Sequence, residues 1–161
     1  MTRLQSEAPL VIVASEVPPP QRQTNYPEPF ASRMAGRVKR RLGDVFELKN
    51  FGVNLTKITP GGISSLRHSH SKQDEFVYVL AGTATLVTDV GEALIAPGEC
   101  AGFPAGGPAH HLVNRTNADV VYLEIGDRAP SDQVTYPEDD LRAVLGADGS
   151  WVFRTKSGVP V

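Results

Sequence analysis

The sequence predicts an all-β protein, built as an antiparallel sandwich or a jelly-roll barrel with an extended N-terminal arm and little helix. From residue 46 onward, eight short runs of β-forming residues follow one another at fairly regular spacing. Seven of the 15 glycines and four of the 13 prolines lie between these runs, where a turn tolerates a positive φ or a missing N–H donor. A length of 161 residues fits a single domain.

The first segment, residues 1–45, is predicted to be an extended arm. Residues 17–30 contain five prolines, which prevent a helix or a central strand because proline lacks the N–H donor and restricts the residue before it. We expect the arm to lie across the barrel or across a partner subunit.

The second segment, residues 46–136, is predicted to form the barrel. Its expected strands are bounded by turn residues and span residues 51–59, 64–70, 75–80, 83–88, 92–96, 100–103, 110–114 and 120–126. The third segment, residues 137–161, is predicted to pack on the barrel as a C-terminal extension. Within it, residues 137–145 are the best helix candidate, because acidic residues come early and Gly146 follows as a stop.

Composition excludes several classes of protein. The net charge of −2 and the pI of about 6.1 lack the basic excess of nucleic-acid-binding domains, so nucleic acid is not an expected partner. The apolar run at residues 10–14 is too short for a signal peptide or a membrane span. A single cysteine, Cys100, excludes an internal disulfide bond, and we therefore expect a cytoplasmic protein.

One local exception to the neutral charge is a basic run at residues 33–41. Two interpretations are open: a solvated basic edge, which is the commoner case, or a site for an anion or an acidic partner. The cations of this run are Arg33, Arg37, Lys39, Arg40 and Arg41.

Histidines in a strand-like run predict a metal site. His68 and His70 are two residues apart, so both side chains project to one face of a strand. A hairpin return through residues 71–74 would bring the Glu75 carboxylate beside them, and His110 begins a later strand-like run. Three imidazoles and one carboxylate suit manganese, iron, cobalt, nickel or zinc, without selecting among them.

The spacing of these residues resembles a family motif. Gly62, five residues, His68-Ser69-His70, four residues, Glu75, six residues and Gly82 together are similar to the first motif of the cupin superfamily. The resemblance implies a double-stranded β-helix, the jelly-roll barrel of cupins. With the second motif, it covers residues 62–114, about a third of the chain.

The second cupin motif resembles Gly98, five residues and Pro104, followed by His110, three residues and Asn114. The segment between the proline and the histidine is one residue longer than the usual pattern, which opens a choice between His110 and His111 as the fourth ligand. Strand alternation favours His110, because it shares a face with Asn114 and His111 points the other way.

The resemblance also implies a function. Residues 26–30, 39–44 and 103–106 are similar to small bacterial cupins, some of them described only by name as sugar-phosphate isomerases. We therefore expect an enzyme that holds one divalent metal ion (zinc, manganese, iron or nickel) and isomerises a small oxygen-rich substrate, a sugar or sugar phosphate. Candidate substrate contacts are Arg40 and Arg41 for a phosphate, together with Asn114 and Tyr122.

Two other functions stay open. Cupins with the same four ligands include dioxygenases and decarboxylases, which a redox-active metal would favour over zinc. A non-catalytic small-molecule binding module is the other alternative, although the chain has no helix-turn-helix segment of the kind that ligand-sensing regulators carry.

Strand parity around Glu75 also predicts an association surface. If Glu75 faces the metal, Val77 and Val79 line the interior while Phe76, Tyr78 and Leu80 face outward. A bare apolar row is usually covered, so we expect a homodimer, as the resemblance also implies.

Overall fold

The computed structural model describes residues 8–161, and strands predominate among them. The strands are β1 (Arg37–Arg41), β2 (Phe51–Ile58), β3 (Ser69–His70), β4 (Glu75–Ala81), β5 (Ala84–Thr88), β6 (Gly91–Ile95), β7 (Cys100–Phe103), β8 (His110–Val113), β9 (Val120–Asp127), β10 (Gln133–Tyr136), β11 (Leu141–Leu145) and β12 (Trp151–Arg154). The α-helix α1 (Leu42–Val45) and the 3₁₀ turns Ala14–Glu16 and Ala31–Met34 complete the elements. The all-β prediction is confirmed, and none of these helical segments is long and apolar enough to cross a membrane.

The strands form three antiparallel sheets. The five-stranded sheet has the order β1-β2-β9-β4-β7, the four-stranded sheet β12-β11-β10-β3, and the three-stranded sheet β6-β5-β8. Isolated bridges from Ile63 to Val113 and from His68 to His110 join the edges of the two smaller sheets. Apolar side chains from the five-stranded and three-stranded sheets share one buried cluster, so the sheets enclose a core in the manner of a jelly roll.

Alternation along β4 follows the predicted parity. Val77 and Val79 are buried in the core, whereas Phe76, Tyr78 and Leu80 are 38%, 38% and 45% exposed. Successive residues of a strand point to opposite faces, so the inner face of β4 also carries the Glu75 side chain.

The glycine that ends the first motif has a steric role. Gly82 follows β4 with a φ of +71°, and a Cβ at this position would lie 2.3 Å from the carbonyl oxygen of Asp119. Only glycine allows the chain to turn here against the start of β9.

The structure differs from the predictions at the N-terminal flank. Residues 1–7 of the predicted arm lie outside the described residues. From Arg37 the arm becomes strand β1, which pairs with β2 along its whole length, and helix α1 follows it. The five-stranded sheet therefore runs across the predicted boundary at residues 45 and 46.

The predicted helix at residues 137–145 is wrong. Residues 137–140 form a turn, and β11 follows, paired with β10 and β12. Leu141 and Ala143 are buried and Arg142 between them is exposed, which is the period-two pattern of a strand. The sequence prediction gave more weight to the acidic residues at the start of the segment, which are typical of a helix. The predicted strand at residues 64–70 is also shortened to β3, with residues 64–67 in a loop that buries Ser64 and Leu66.

Candidate functional site

Two pairs of elements bring the predicted ligands together. The turn after β3 returns the chain into β4, which places Glu75 beside His70. His68 and His110 face each other in an isolated antiparallel bridge, so the start of β8 lies next to the first pair. One potential ligand atom from each of His68, His70 and Glu75 lies within 4.8 Å of the others.

The Nε2 atoms of the three histidines converge on one carboxylate oxygen. The distances to Oε2 of Glu75 are 3.0 Å from His110, 3.2 Å from His68 and 3.4 Å from His70. All four side chains are largely buried. We call this group of four residues the histidine cluster.

Backbone carbonyls orient two of the three rings. Nδ1 of His68 lies 2.8 Å from the carbonyl oxygen of Leu66, and Nδ1 of His110 lies 3.3 Å from that of Pro108. The His110 ring also stacks on Phe103, with ring centroids 3.5 Å apart and planes 2° from parallel. These contacts hold Nε2 of both rings toward the centre of the cluster.

A carboxylate that the sequence predictions missed orients the third ring. Nδ1 of His70 lies 2.5 Å from Oδ2 of Asp132, which is fully buried. Oδ1 of Asp132 accepts hydrogen bonds from the Ser71 hydroxyl and the Lys72 N–H. Asp132 follows β9 by a few residues, and only the pairing of β3 with β10 brings it near His70, so no local signal identifies it.

The donor set of the cluster fits a divalent metal ion. Carbonyl and carboxylate oxygens accept hydrogen bonds, so each Nδ1 is placed to donate its proton, and a ring that is neutral in this tautomer offers its Nε2 lone pair to a metal. These three nitrogens and the Glu75 oxygen lie close enough together to act as ligands of one metal ion. Imidazole nitrogen with carboxylate oxygen is the donor chemistry of zinc and its first-row neighbours.

Electrostatics keeps the carboxylate ionised. Burial raises the pKa of Glu75, but hydrogen bonds from His110 and His68 and the charges of His68 and His70 hold it well below its usual range. Burial likewise lowers the pKa of His68, but the hydrogen bond and charge of Glu75 outweigh burial and raise it. The cluster therefore supplies an anionic ligand at neutral pH.

The histidine cluster borders a cavity of about 200 Å³ between the sheets. Aromatic rings form much of the wall, among them Tyr26 from the N-terminal segment, Tyr136 from β10 and Trp151 from β12. Tyr122 also borders the cavity, as the sequence predicted for a substrate contact, and its side chain is almost fully buried. A site of this size suits a small molecule.

The basic residues at the cavity are different from those predicted. Arg37 and Lys39 line the cavity, whereas Arg40 and Arg41 do not. Arg40 faces the other side of β1 and donates to the carbonyl oxygen of Val17 at 2.5 Å, and Arg41 is exposed at the strand end. Arg37 and Lys39 were missed because strand β1 was not predicted from the sequence. Without that strand, the period-two alternation could not be applied to these residues.

Asn114 does not border the cavity, so the structure gives no support to its predicted substrate contact. Its Nδ2 donates to the carbonyl oxygens of Ile58 and Ala118, and its Oδ1 accepts from the N–H and hydroxyl of Thr116. The fully buried amide thus holds the turn between β8 and β9 and has no donor left for a ligand.

His111 lies outside the histidine cluster. Its Nδ1 is 2.9 Å from the carbonyl oxygen of Ser65, and burial lowers its pKa. In β8, His110 is the buried residue of the pair, in agreement with strand alternation.

Comparisons with known proteins place the chain in a family. A family model described as a cupin domain matches residues 54–126. A sugar phosphate isomerase from a cupin superfamily, from Silicibacter pomeroyi, is 44% identical, with 86% of this chain and 88% of that chain covered and a TM-score of 0.81. A candidate sugar phosphate isomerase from Acidithiobacillus ferrooxidans is 36% identical, with 78% and 80% covered and a TM-score of 0.70.

A more distant structure shares the fold alone. The polyketide cyclase RemF from Streptomyces resistomycificus is 22% identical, with 73% of this chain and 78% of that chain covered and a TM-score of 0.59. No curated protein matches the sequence. The structures from Silicibacter pomeroyi and Acidithiobacillus ferrooxidans are each more than one third identical to this chain over most of both chains. Together with the two motifs and the jelly-roll topology, they show that the chain belongs to the cupin superfamily.

Proposed function

We propose that the protein is a metal-dependent isomerase that acts on a small oxygen-rich substrate, a sugar or sugar phosphate. The observation that carries this proposal is the convergence of three imidazole nitrogens and one carboxylate oxygen at the wall of a small cavity. The names of the two most identical solved structures described above support the isomerase reaction.

His68, His70, Glu75 and His110 are the proposed ligands of one divalent ion, either zinc, manganese, iron or nickel. A five- or six-coordinate ion held by these four ligands would keep one or two positions open, where it would polarise a hydroxyl or carbonyl oxygen as a Lewis acid. The ring of Phe103, stacked on His110, shields that side of the cluster from water.

Two tyrosines at the cavity wall act as hydrogen-bond donors in the proposed reaction. Burial raises the pKa of Tyr26 to about 12 and also raises the pKa of Tyr136. Both phenols therefore stay protonated at neutral pH and act as hydrogen-bond donors to substrate oxygens rather than as bases. Their aromatic rings pack edge to face, 5.7 Å apart, and orient each other at the cavity wall.

Metal analysis combined with a turnover assay tests the proposal. The protein is purified without a chelating tag or added metal, its metal content is measured, and aldose and ketose phosphates are then incubated with it in D₂O. We expect one metal ion per chain and interconversion of an aldose with its ketose, followed by NMR. Oxygen consumption with a redox-active metal would instead support a dioxygenase, and binding without turnover a non-catalytic module.

The ligand assignment is tested by a pair of variants. Glu75→Ala removes the anionic ligand, and we expect it to lose nearly all bound metal while the circular dichroism spectrum stays that of a folded barrel. His111→Ala is the matched control, because its ring lies outside the histidine cluster, and it is expected to keep the metal. A Glu75→Ala protein with stoichiometric metal would contradict the assignment.

A homodimer and a cytoplasmic location remain predictions that accompany this proposal. The exposed side chains of Phe76, Tyr78 and Leu80 on the outer face of β4 support association through that face.

A further inference from the structure

Arg37 is a buried cation that has no anionic partner among residues 8–161. Its side chain borders the cavity, and the residue is only 7% exposed. Nη1 donates to the carbonyl oxygen of Ser64 at 2.6 Å and Nη2 to that of Gln23 at 3.0 Å. Nε is buried and has no hydrogen-bond partner among residues 8–161, and no carboxylate of this part of the chain forms an ion pair with the guanidinium.

The neighbouring cation on the same face of β1 is compensated. Nζ of Lys39 lies 2.6 Å from Oε1 of Glu124, which also borders the cavity. Carbonyl dipoles satisfy N–H groups but do not neutralise a charge, and an uncompensated buried charge is costly. Arg37 is therefore placed to attract an anion that the described residues do not provide.

A second unpaired donor lies in the same wall. Tyr122 is 1% exposed and borders the cavity, and its hydroxyl forms no hydrogen bond of normal geometry within the described part of the chain, with Thr56 facing it across β2 and β9. Burial and the charge of Glu124 raise the pKa of Tyr122, and the charge of Arg37 acts on the same phenol in the opposite direction. The phenol keeps its proton and can donate it in a hydrogen bond beside the guanidinium.

The charges around the cavity also favour an anion. Arg37 and Lys39 balance Glu75 and Glu124, and a divalent ion in the histidine cluster would add two positive charges, of which Asp132 beside His70 offsets one. One positive charge then remains at the cavity, which favours an anionic ligand over a neutral one.

We propose that Arg37 and Tyr122 form a subsite that binds one oxyanion of the substrate, either a carboxylate or a phosphate. The inference deepens the proposed function and rests on it for the identity of the cavity as the substrate site. Guanidinium and phenol N–H and O–H groups match the oxygens of either anion.

Tryptophan fluorescence offers a direct binding test. Trp151 is the only tryptophan of the chain, and it borders the cavity with its ring centroid 6.2 Å from that of His70. The full chain, with its metal content measured, is titrated with acetate, with inorganic phosphate and with acetamide, the neutral counterpart of acetate. We expect saturable binding of at least one anion, with acetamide bound about tenfold more weakly or worse than acetate.

Variants on β1 locate the binding to Arg37. Arg37→Gln keeps hydrogen-bond donors but removes the charge, and we expect about tenfold to hundredfold weaker anion binding at unchanged metal content. Arg41→Gln, on the same strand but exposed outside the cavity, should bind as the wild type does. Equal anion affinity in wild type and Arg37→Gln would overturn the proposal, because the anion would then bind at the metal alone.

If Arg37→Gln fails to fold, the wild-type titrations with acetate, phosphate and acetamide still test the anion subsite. Equal affinity for acetate and acetamide, or no saturable anion binding, would overturn the subsite. The tighter of acetate and phosphate identifies the oxyanion. Charge-dependent binding without isomerase turnover would refute the proposed reaction and leave the subsite supported, so the two failures are distinguishable.

Discussion

The cavity has two polar walls that differ in how their buried atoms are paired. At the histidine cluster, each Nδ1 lies near a carbonyl or carboxylate oxygen, and a fully buried aspartate completes the pairing of His70. The wall that contains Arg37 and Tyr122 is different. There, the guanidinium Nε and the phenol hydroxyl have no hydrogen-bond partner within residues 8–161. An unpaired buried polar group costs about 1–3 kcal/mol. The wall formed by the histidine cluster and Asp132, the paired wall, holds its ligand atoms in fixed positions. The wall formed by Arg37 and Tyr122, the unpaired wall, has hydrogen-bond donors that an external ligand can pair.

The largest expected effect concerns the partner of His70. An amide at position 132 cannot accept on both of its heavy atoms, so Asp132→Asn loses the bond to His70 or those to the following loop. We expect about tenfold to hundredfold weaker metal binding, measured by competition with a chelator. Asp119→Asn, in a half-exposed ion pair with Lys57, is the control. Unchanged affinity in Asp132→Asn would show that the paired wall does not depend on this carboxylate.

A smaller effect is expected at the unpaired wall. Tyr122→Phe removes a buried hydroxyl without a partner, so stability should rise by about 1 kcal/mol while acetate or phosphate binds roughly threefold to tenfold more weakly. Tyr78→Phe is the matched control, because Tyr78 lies on the outer face of β4, is 38% exposed and does not border the cavity. This control should keep both its stability and its anion affinity. Loss of stability in Tyr122→Phe would mean that the hydroxyl has a partner in the free protein.

The smallest effect is expected at a redundant contact. The Ser65 hydroxyl lies 3.2 Å from Nδ1 of His68, which also has the carbonyl oxygen of Leu66 at 2.8 Å. Ser65→Ala leaves the backbone acceptor in place, so metal affinity should change by about twofold at most. A tenfold loss in the same chelator competition would show that the hydroxyl, and not the backbone, orients this ring.

Much of the cluster could be predicted because its spacing is local. His68 and His70 share a face through the period of a strand, and a four-residue turn returns Glu75 to them. The same parity correctly assigned Val77 and Val79 to the core and the intervening side chains to the surface. The role of the four residues as metal ligands stays a prediction until the metal is measured.

Other parts of the cavity could not be predicted because they depend on pairing between distant strands. Arg37, and not Arg40, lines the cavity because of the register in which β1 pairs with β2. In this register Arg37 lies opposite the buried Ile58. Asp132 reaches His70 across 62 residues of sequence, through the antiparallel pairing of β10 with β3.

By itself, the sequence determined the all-β class, the order of most barrel strands and the local geometry of the first motif. The alternation of side chains along a strand, the turn residues and the glycine at position 82 act over a few residues, so they can be recognised in the sequence itself. Only the tertiary structure decided the strand at residues 141–145, the partner of His70 and the uncompensated charge at the cavity. These features follow from burying apolar side chains over the whole chain, which sets the strand registers and thereby decides which polar groups find a partner.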